Sequence, residues 1–196
     1  PIGSFLGSLS DFTAPELMSF CVKEILKKNP LDISSVDDFI VGQVLQAGCG
    51  QAPARQAMRF GGLSDKTKAV TVNKVCGSGL KAIEYAFDSV KLGKSNLIMA
   101  GGMESMSNAP YYLKKYRQGT KMGNQEIQDG LILDGLWDPY SNFHMGNAGE
   151  LCAREFKISR EQQDNYAIES FKRAQANTHH FKEEICVVNH EKNGAI

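Results

Sequence analysis

Residues 69–100 constrain the fold most, because they read as a strand, a glycine turn, a helix and a second strand. Ala69 to Val75 is β-branched and apolar and reads as a buried strand. Leu80, Ile83, Phe87 and Val90 then recur at helical spacing until Gly93 stops the run, and Asn96 to Ala100 is a second apolar strand. A strand–helix–strand unit of about thirty residues implies two parallel strands and a right-handed crossover. Strands alternating with helices make the first hundred residues α/β.

Cys76 sits where the first strand hands over to the helix, with Gly77 and Gly79 beside it to let the backbone turn tightly and a ligand come close. A helix predicted to start at Cys76 places the thiol in a first turn whose unpaired N–H groups and partial positive charge favour thiolate. The competing reading is a small buried hydrophobe, a common state for unpaired cysteine.

The rest of the chain supports the same class. Thr13-Ala14-Pro15-Glu16 spells a capping box, followed by an apolar stripe of Leu17, Phe20, Cys21 and Ile25 that is expected to face the core. Val36 to Leu45 reads as a strand centred on Phe39-Ile40-Val41, Gln46 to Ala52 as a loop, and Pro53 to Phe60 as a short helix closed by Gly61-Gly62. Gly48, Gly50 and Pro53 do not have the spacing of a dinucleotide fingerprint, and Cys49 reads as a loop residue. Residues 108–157 lose periodicity and read as an excursion from the sheet, helical at Asn124 to Leu133 and again from Gly149. Ser159-Arg160-Glu161-Gln162 is a second capping box, opening a helix with Ala167, Ser170, Phe171 and Ala174 on one face. Asn193-Gly194 after Ile185 to Val188 signals a hairpin turn.

Asn73-Lys74-Val75-Cys76-Gly77-Ser78-Gly79-Leu80-Lys81-Ala82 resembles the nucleophile segment of the thiolases. The resemblance continues through Ala100 to Ser107, His144-Met145-Gly146, Pro1 to Phe5 and Gln51 to Gln56, in collinear order over essentially the whole chain. It is nearest the acetyl-CoA acetyltransferase (acetoacetyl-CoA thiolase) branch. It implies a layered α/β fold: an N-terminal core of parallel or mixed sheet with helices over 1–107, and an inserted loop domain over 108–196 that covers the active site. It also implies a sheet whose first, central strand precedes Pro1, leaving two facing edges unpaired.

The chemistry implied is acyl transfer, in which Cys76 takes the acetyl group from acetyl-CoA and a second acetyl-CoA, deprotonated at its methyl carbon, attacks to give acetoacetyl-CoA. Leu136, His144 and Met145 match positions lining the acyl end of the pocket in short-chain members. Gly149 stands in a stretch, Asn147 to Leu151, where relatives commonly have Thr-Ala-Glu-Asn, and is expected to loosen a helix start there. The family's activating histidine in Gly-His-Pro, its second cysteine in Cys-x-Gly and its Asn-Glu-Ala-Phe segment do not occur in these 196 residues. The chain is therefore expected to be a fragment carrying a nucleophile without its base, inactive alone. The alternatives are a non-catalytic truncated protein keeping the family's assembly or coenzyme A surface, and a decarboxylating ketoacyl synthase sharing the cysteine and general fold.

Composition narrows the partners. Lys plus Arg and Asp plus Glu are each 22, so nothing points to nucleic acid or a charged membrane surface. No apolar run is long enough to span a bilayer. An odd count of five scattered cysteines suits a reducing compartment: the cytoplasm, or the mitochondrial matrix in a eukaryote. His179, His180, Cys186 and His190 fit no standard zinc spacing and read as a solvated helix end, so no metal is expected. No Gly-x-Ser-x-Gly surrounds Ser78 or Ser105, which excludes a serine-hydrolase elbow. The resemblance implies a coenzyme A thioester as substrate, no tightly bound cofactor, and a homo-oligomer, dimer or tetramer.

Overall fold

Thr13 opens the first helix. Its hydroxyl accepts the Glu16 N–H, and the Glu16 carboxylate accepts the Thr13 N–H at 2.8 Å, completing the capping box. This helix, α1 (Ala14–Lys28), ends with Lys27 and Lys28 in its last turn. The computed structural model describes residues 2–190 and 194–195. Contacts divide the chain into two units, Ile2–Gly135 with Val187–Ile196, and Leu136–Cys186.

In the first unit α1 packs on α2 (Pro53–Gly61), which Gly62 terminates in the left-handed region at φ 91°. The face of α1 turned inward is Ala14, Ser19 and Val22, with Met18 and Leu26 against the core. The predicted stripe is thus out of phase, and Cys21 is exposed rather than in the core. The cause is Gly61, where a Cβ would stand 2.5 Å from Val22 Cγ1, so the two helices meet on the Val22 side. Phe20 instead meets Phe12 edge-on, with ring centroids 5.2 Å apart.

β1 (Asp38–Gly42) is the central strand, paired in parallel with β2 (Lys68–Val72) on one side and β3 (Ile98–Gly102) on the other. Phe39 lies opposite Ala69 and Met99, and all five residues of β1 are in register with both neighbours. The three strands therefore pair continuously, and the expected pair of unpaired facing edges is not present; backbone polar groups that would otherwise be buried unpaired bond across instead. Phe39, Ile40 and Val41 are buried, and the core gathers Val36, Phe39, Val41, Met58, Leu63 and Met103 around them. β2, as an edge strand, stops at Val72 rather than Val75 and leaves Val70 half exposed, so it is not the buried strand its composition suggested.

α3 (Ser78–Lys91) crosses back between β2 and β3 and buries Ser78 and Ala82. Its apolar stripe points away from the sheet, with Leu80 76% and Phe87 62% exposed. Three glycines let its N-terminus rest on the strand ends: a Cβ on Gly42 would stand 2.3 Å from the Ser78 carbonyl carbon, and one on Gly102 3.2 Å from the Gly79 Cα.

Beyond β3 the chain leaves the sheet. β4 (Tyr111–Tyr112) pairs antiparallel with β5 (Gln128–Asp129), and a π-helical turn follows at Ile132–Leu136. The helix predicted over Asn124 to Leu133 forms only at its end, from Gly130, because Gln128 and Asp129 are drawn into pairing with the two tyrosines and the Asp129 carboxylate accepts the Leu131 N–H at 2.8 Å. The second unit holds the hairpin β6 (Trp137–Asp138) and β7 (Phe143–His144), then α4 (Met145–Glu155), α5 (Arg160–Ala176) and α6 (Thr178–Glu184). Ser159 and Gln162 form the expected capping box on α5. α4 starts four residues before Gly149, which lies inside the helix, so that glycine does not loosen its start.

In the first unit β8 (Asn189–His190) pairs with β9 (Gly194–Ala195), placing Gly194 in the returning strand instead of the turn; Asn193 lies outside the described residues. Among the described residues no helix is long and apolar enough to cross a membrane.

Candidate active site

Between β2 and α3 the backbone makes a tight turn. Val75 is held at φ 47°, a left-handed conformation that costs a β-branched residue about 1–3 kcal/mol and persists only where its surroundings enforce it. Three bonds enforce it here. Asn73 Oδ1 accepts the Val75 N–H at 2.9 Å, Ser78 Oγ donates to the Val75 carbonyl at 2.6 Å, and Ser78 Oγ accepts the Lys74 N–H at 2.8 Å. The turn closes with Gly77 N–H on the Lys74 carbonyl and Ser78 N–H on the Val75 carbonyl, both at 3.0 Å.

Cys76 rides on the outside of this turn and is exposed. The helix starts later than predicted: Gly77 is the N-cap and Ser78 the first helical residue, so Cys76 stands one residue outside the cap rather than in the first turn. The cause is the bonding of the turn itself, which uses the Gly77 and Ser78 amides.

Cys76 lines a cleft of about 280 Å³ together with Gly42, Gln43, Val44, Gly79 and Glu104. Every one of these residues belongs to the first unit. Gln43 is buried; its Nε2 donates to the Leu45 carbonyl at 3.0 Å and to Cys49 Sγ at 3.3 Å, which gives Cys49 a packing role in its loop. No donor among the described residues reaches Gln43 Oε1. Glu104, just past β3, accepts the Val44 N–H at 2.9 Å and the Leu45 N–H at 3.1 Å. Burial pushes its carboxyl above the ordinary carboxylate range, and the two amides pull it part of the way back.

The other predicted site residues gather on the second unit. His144 pairs with Trp137 across the β6–β7 hairpin, and Leu136 and Met145 flank that pair at the same end. His144 is the N-cap of α4, its Nδ1 accepting the Gly146 N–H at 3.0 Å, so the ring proton sits on Nε2. Leu136 is half-buried and Met145 exposed. His179 and His180 are exposed on α6, their rings 3.9 Å apart, as a solvated helix end would have them, whereas Cys186 beyond the helix is buried. Among the described residues no three histidine, cysteine or acidic side chains are placed to hold a metal.

The profile of the family described as "Thiolase, N-terminal domain" matches residues 1–195. The chain belongs to the thiolase family. It is 47% identical over 190 residues to "Acetyl-CoA acetyltransferase 1" of Arabidopsis thaliana, covering 96% of this chain and 46% of that protein. The mitochondrial acetyl-CoA acetyltransferase erg10A of Aspergillus fumigatus is also 47% identical, over 96% of this chain and 44% of its own length. A "Probable acetyl-CoA acetyltransferase" of Escherichia coli is 44% identical over 99% of this chain and 50% of its length. The chain thus spans about half the length of the curated relatives it matches.

Three residues of this thiolase cleft escaped the sequence reading. Ser78, Gln43 and Glu104 are polar groups whose role depends on a backbone they meet only in the folded chain. Glu104 left one signal, an acidic residue two positions after the Gly101-Gly102 that ends an apolar strand.

Proposed function

We propose that the protein carrying this chain is a thiolase-type acyltransferase that condenses two acetyl-CoA to acetoacetyl-CoA and free coenzyme A, or runs the reverse thiolysis, through an acetyl-Cys76 intermediate. The observation that carries this is an exposed thiol on a strained, hydrogen-bonded turn, opening on a cleft walled by glycine backbone. The matched relatives bear the name of the same reaction.

In this reaction the Cys76 thiolate attacks the thioester carbonyl carbon and the coenzyme A thiolate departs, leaving acetyl on Sγ. The second acetyl-CoA loses a methyl proton to a base, and its carbanion attacks the acetyl carbon. The C–C bond forms as the Cys76 thiolate leaves, and acetoacetyl-CoA is released. The turn fixes the Cys76 backbone before substrate arrives, so less ordering remains to be done in the transition state. The glycines at 42, 79 and 102 bring the thioester close to backbone. The base and second cysteine belong to segments that the family resemblance assigns to its other half.

We further infer that Leu136, His144 and Met145 limit the acyl chain, that residues 108–196 act as the cover of the site, and that the working form is a homo-oligomer in the cytoplasm or the mitochondrial matrix. The hairpin that brings these three residues to one end of the β6–β7 pair supports the first of these. The test is acetoacetyl-CoA cleavage by the whole protein. Thiolysis lost in Cys76→Ser with the fold retained supports the assignment. Cleavage that survives the substitution, or none in the wild type, sinks it and favours a non-catalytic role.

A further inference from the structure

We propose that Glu104 is a positioning residue for the chemistry at Cys76: its carboxylate, taking the Val44 and Leu45 amides on separate oxygens, holds the wall of the cleft that Gln43 and Val44 form. This rests on the acyl-transfer reading given above.

The geometry runs from the sheet to the cleft in short steps. Met103 N–H bonds to the Gly42 carbonyl at 3.0 Å, so pairing of β3 with β1 continues one residue past the strand and delivers Glu104 beside the exit of β1. Val44 and Leu45 have by then left the ladder, and their N–H groups are taken by Oε2 and Oε1 of Glu104. Leu45 in turn fixes Gln43, because its carbonyl accepts the Gln43 side-chain amide. That amide is buried, and with its nitrogen engaged, its Oε1 is left as an acceptor without a donor among the described residues, in a side chain that lines the cleft with Cys76. Moving Leu45 therefore moves Gln43.

The arrangement needs a carboxylate. Two amides donate to two different oxygens, so a glutamine there offers one acceptor and turns its own N–H₂ toward the second donor. An aspartate keeps both acceptors but falls one methylene short. Protonation likewise converts one acceptor into a donor. Burial and the two amides are the influences on the Glu104 carboxyl, and Cys76 is the other titratable side chain on the cleft lining.

The test uses the whole protein that carries this chain, as wild type, Glu104→Gln and Glu104→Asp. Residue-resolved amide hydrogen exchange is measured at one pH for all three, together with kcat and KM for acetoacetyl-CoA cleavage. Protection of Val44 and Leu45 should be about tenfold lower in Glu104→Gln than in the wild type, with Glu104→Asp between. Phe39 to Val41 should keep their protection in every variant. kcat should drop about tenfold to a hundredfold in Glu104→Gln with KM little changed, since the loss is of placement rather than of binding. Unchanged Val44 and Leu45 protection, an equal loss at Phe39 to Val41, or unchanged kcat overturns the proposal. Should Glu104→Gln not fold, Glu104→Asp decides it. A wild type without thiolysis removes the acyl-transfer reading and the catalytic half of the proposal, while the exchange data still decide whether Glu104 holds the wall.

Discussion

Val75 bears the strain that puts Cys76 on the outside of its turn, and Ser78 is the residue that keeps it there. One hydroxyl accepts from Lys74 N–H and donates to the Val75 carbonyl, and Ser78 is itself buried. Ser78→Ala leaves the Lys74 amide without that acceptor, a loss of about 1–3 kcal/mol. Urea unfolding should show that loss, and iodoacetamide should alkylate Cys76 more slowly in the variant; an unchanged midpoint and rate would mean the turn is held by other contacts. Cys76 and its glycines were legible as a strand-to-helix turn because their types declare it. That the positive φ falls on the valine was not legible, since a β-branched residue goes there only when distant groups force it. The same holds for Glu104, whose acceptors serve amides some sixty residues away in sequence.

At the scale of elements, capping chemistry was read correctly and facing was not. Thr13 and Ser159 declare their helices because the cap bonds are local. The buried faces of α1 and α3 depend on what they pack against: Gly61 selects the Val22 side of α1, and Gly42 admits the start of α3. Gly42→Ala would drive a Cβ to 2.3 Å from the Ser78 carbonyl carbon, so α3 must shift. Overpacking of this kind costs about 1–3 kcal/mol or more, and a thermal melt should show it together with slower Cys76 alkylation. The excursion after β3 carries its own marker, the Tyr112 hydroxyl, which donates to Asp134 and ties β4 to the π-helical turn. That bond, aided by burial, pushes the Tyr112 phenol up to about 12 from its ordinary 10.0. The fold favours the neutral phenol, so this contribution to stability is intact below about pH 10 and is lost as pH rises through about 12. An alkaline absorbance titration should show one late tyrosine that Tyr112→Phe removes; a late tyrosine persisting in that variant would reassign it.

For the molecule as a whole, the α/β class and the family were legible because a β-α-β unit and long collinear motifs leave few alternatives. The weakly periodic stretch after residue 108 was not, since two-residue strands and π-helical turns have no period to detect. The proposed acyl limit at Leu136, His144 and Met145 bears on substrate range. Acetoacetyl-CoA should be cleaved with a kcat/KM far above that for a 3-ketoacyl-CoA of eight or more carbons, and comparable values would contradict a short acyl site. The central claim is the covalent intermediate on Cys76. Incubating the whole protein with acetyl-CoA, quenching in acid and mapping peptides by mass spectrometry tests it most directly. Acetyl should be found on Cys76, disappear when free coenzyme A is added before the quench, and be absent from Cys76→Ser. An unmodified Cys76, or acetyl borne by another residue that exchanges with coenzyme A, would contradict the account.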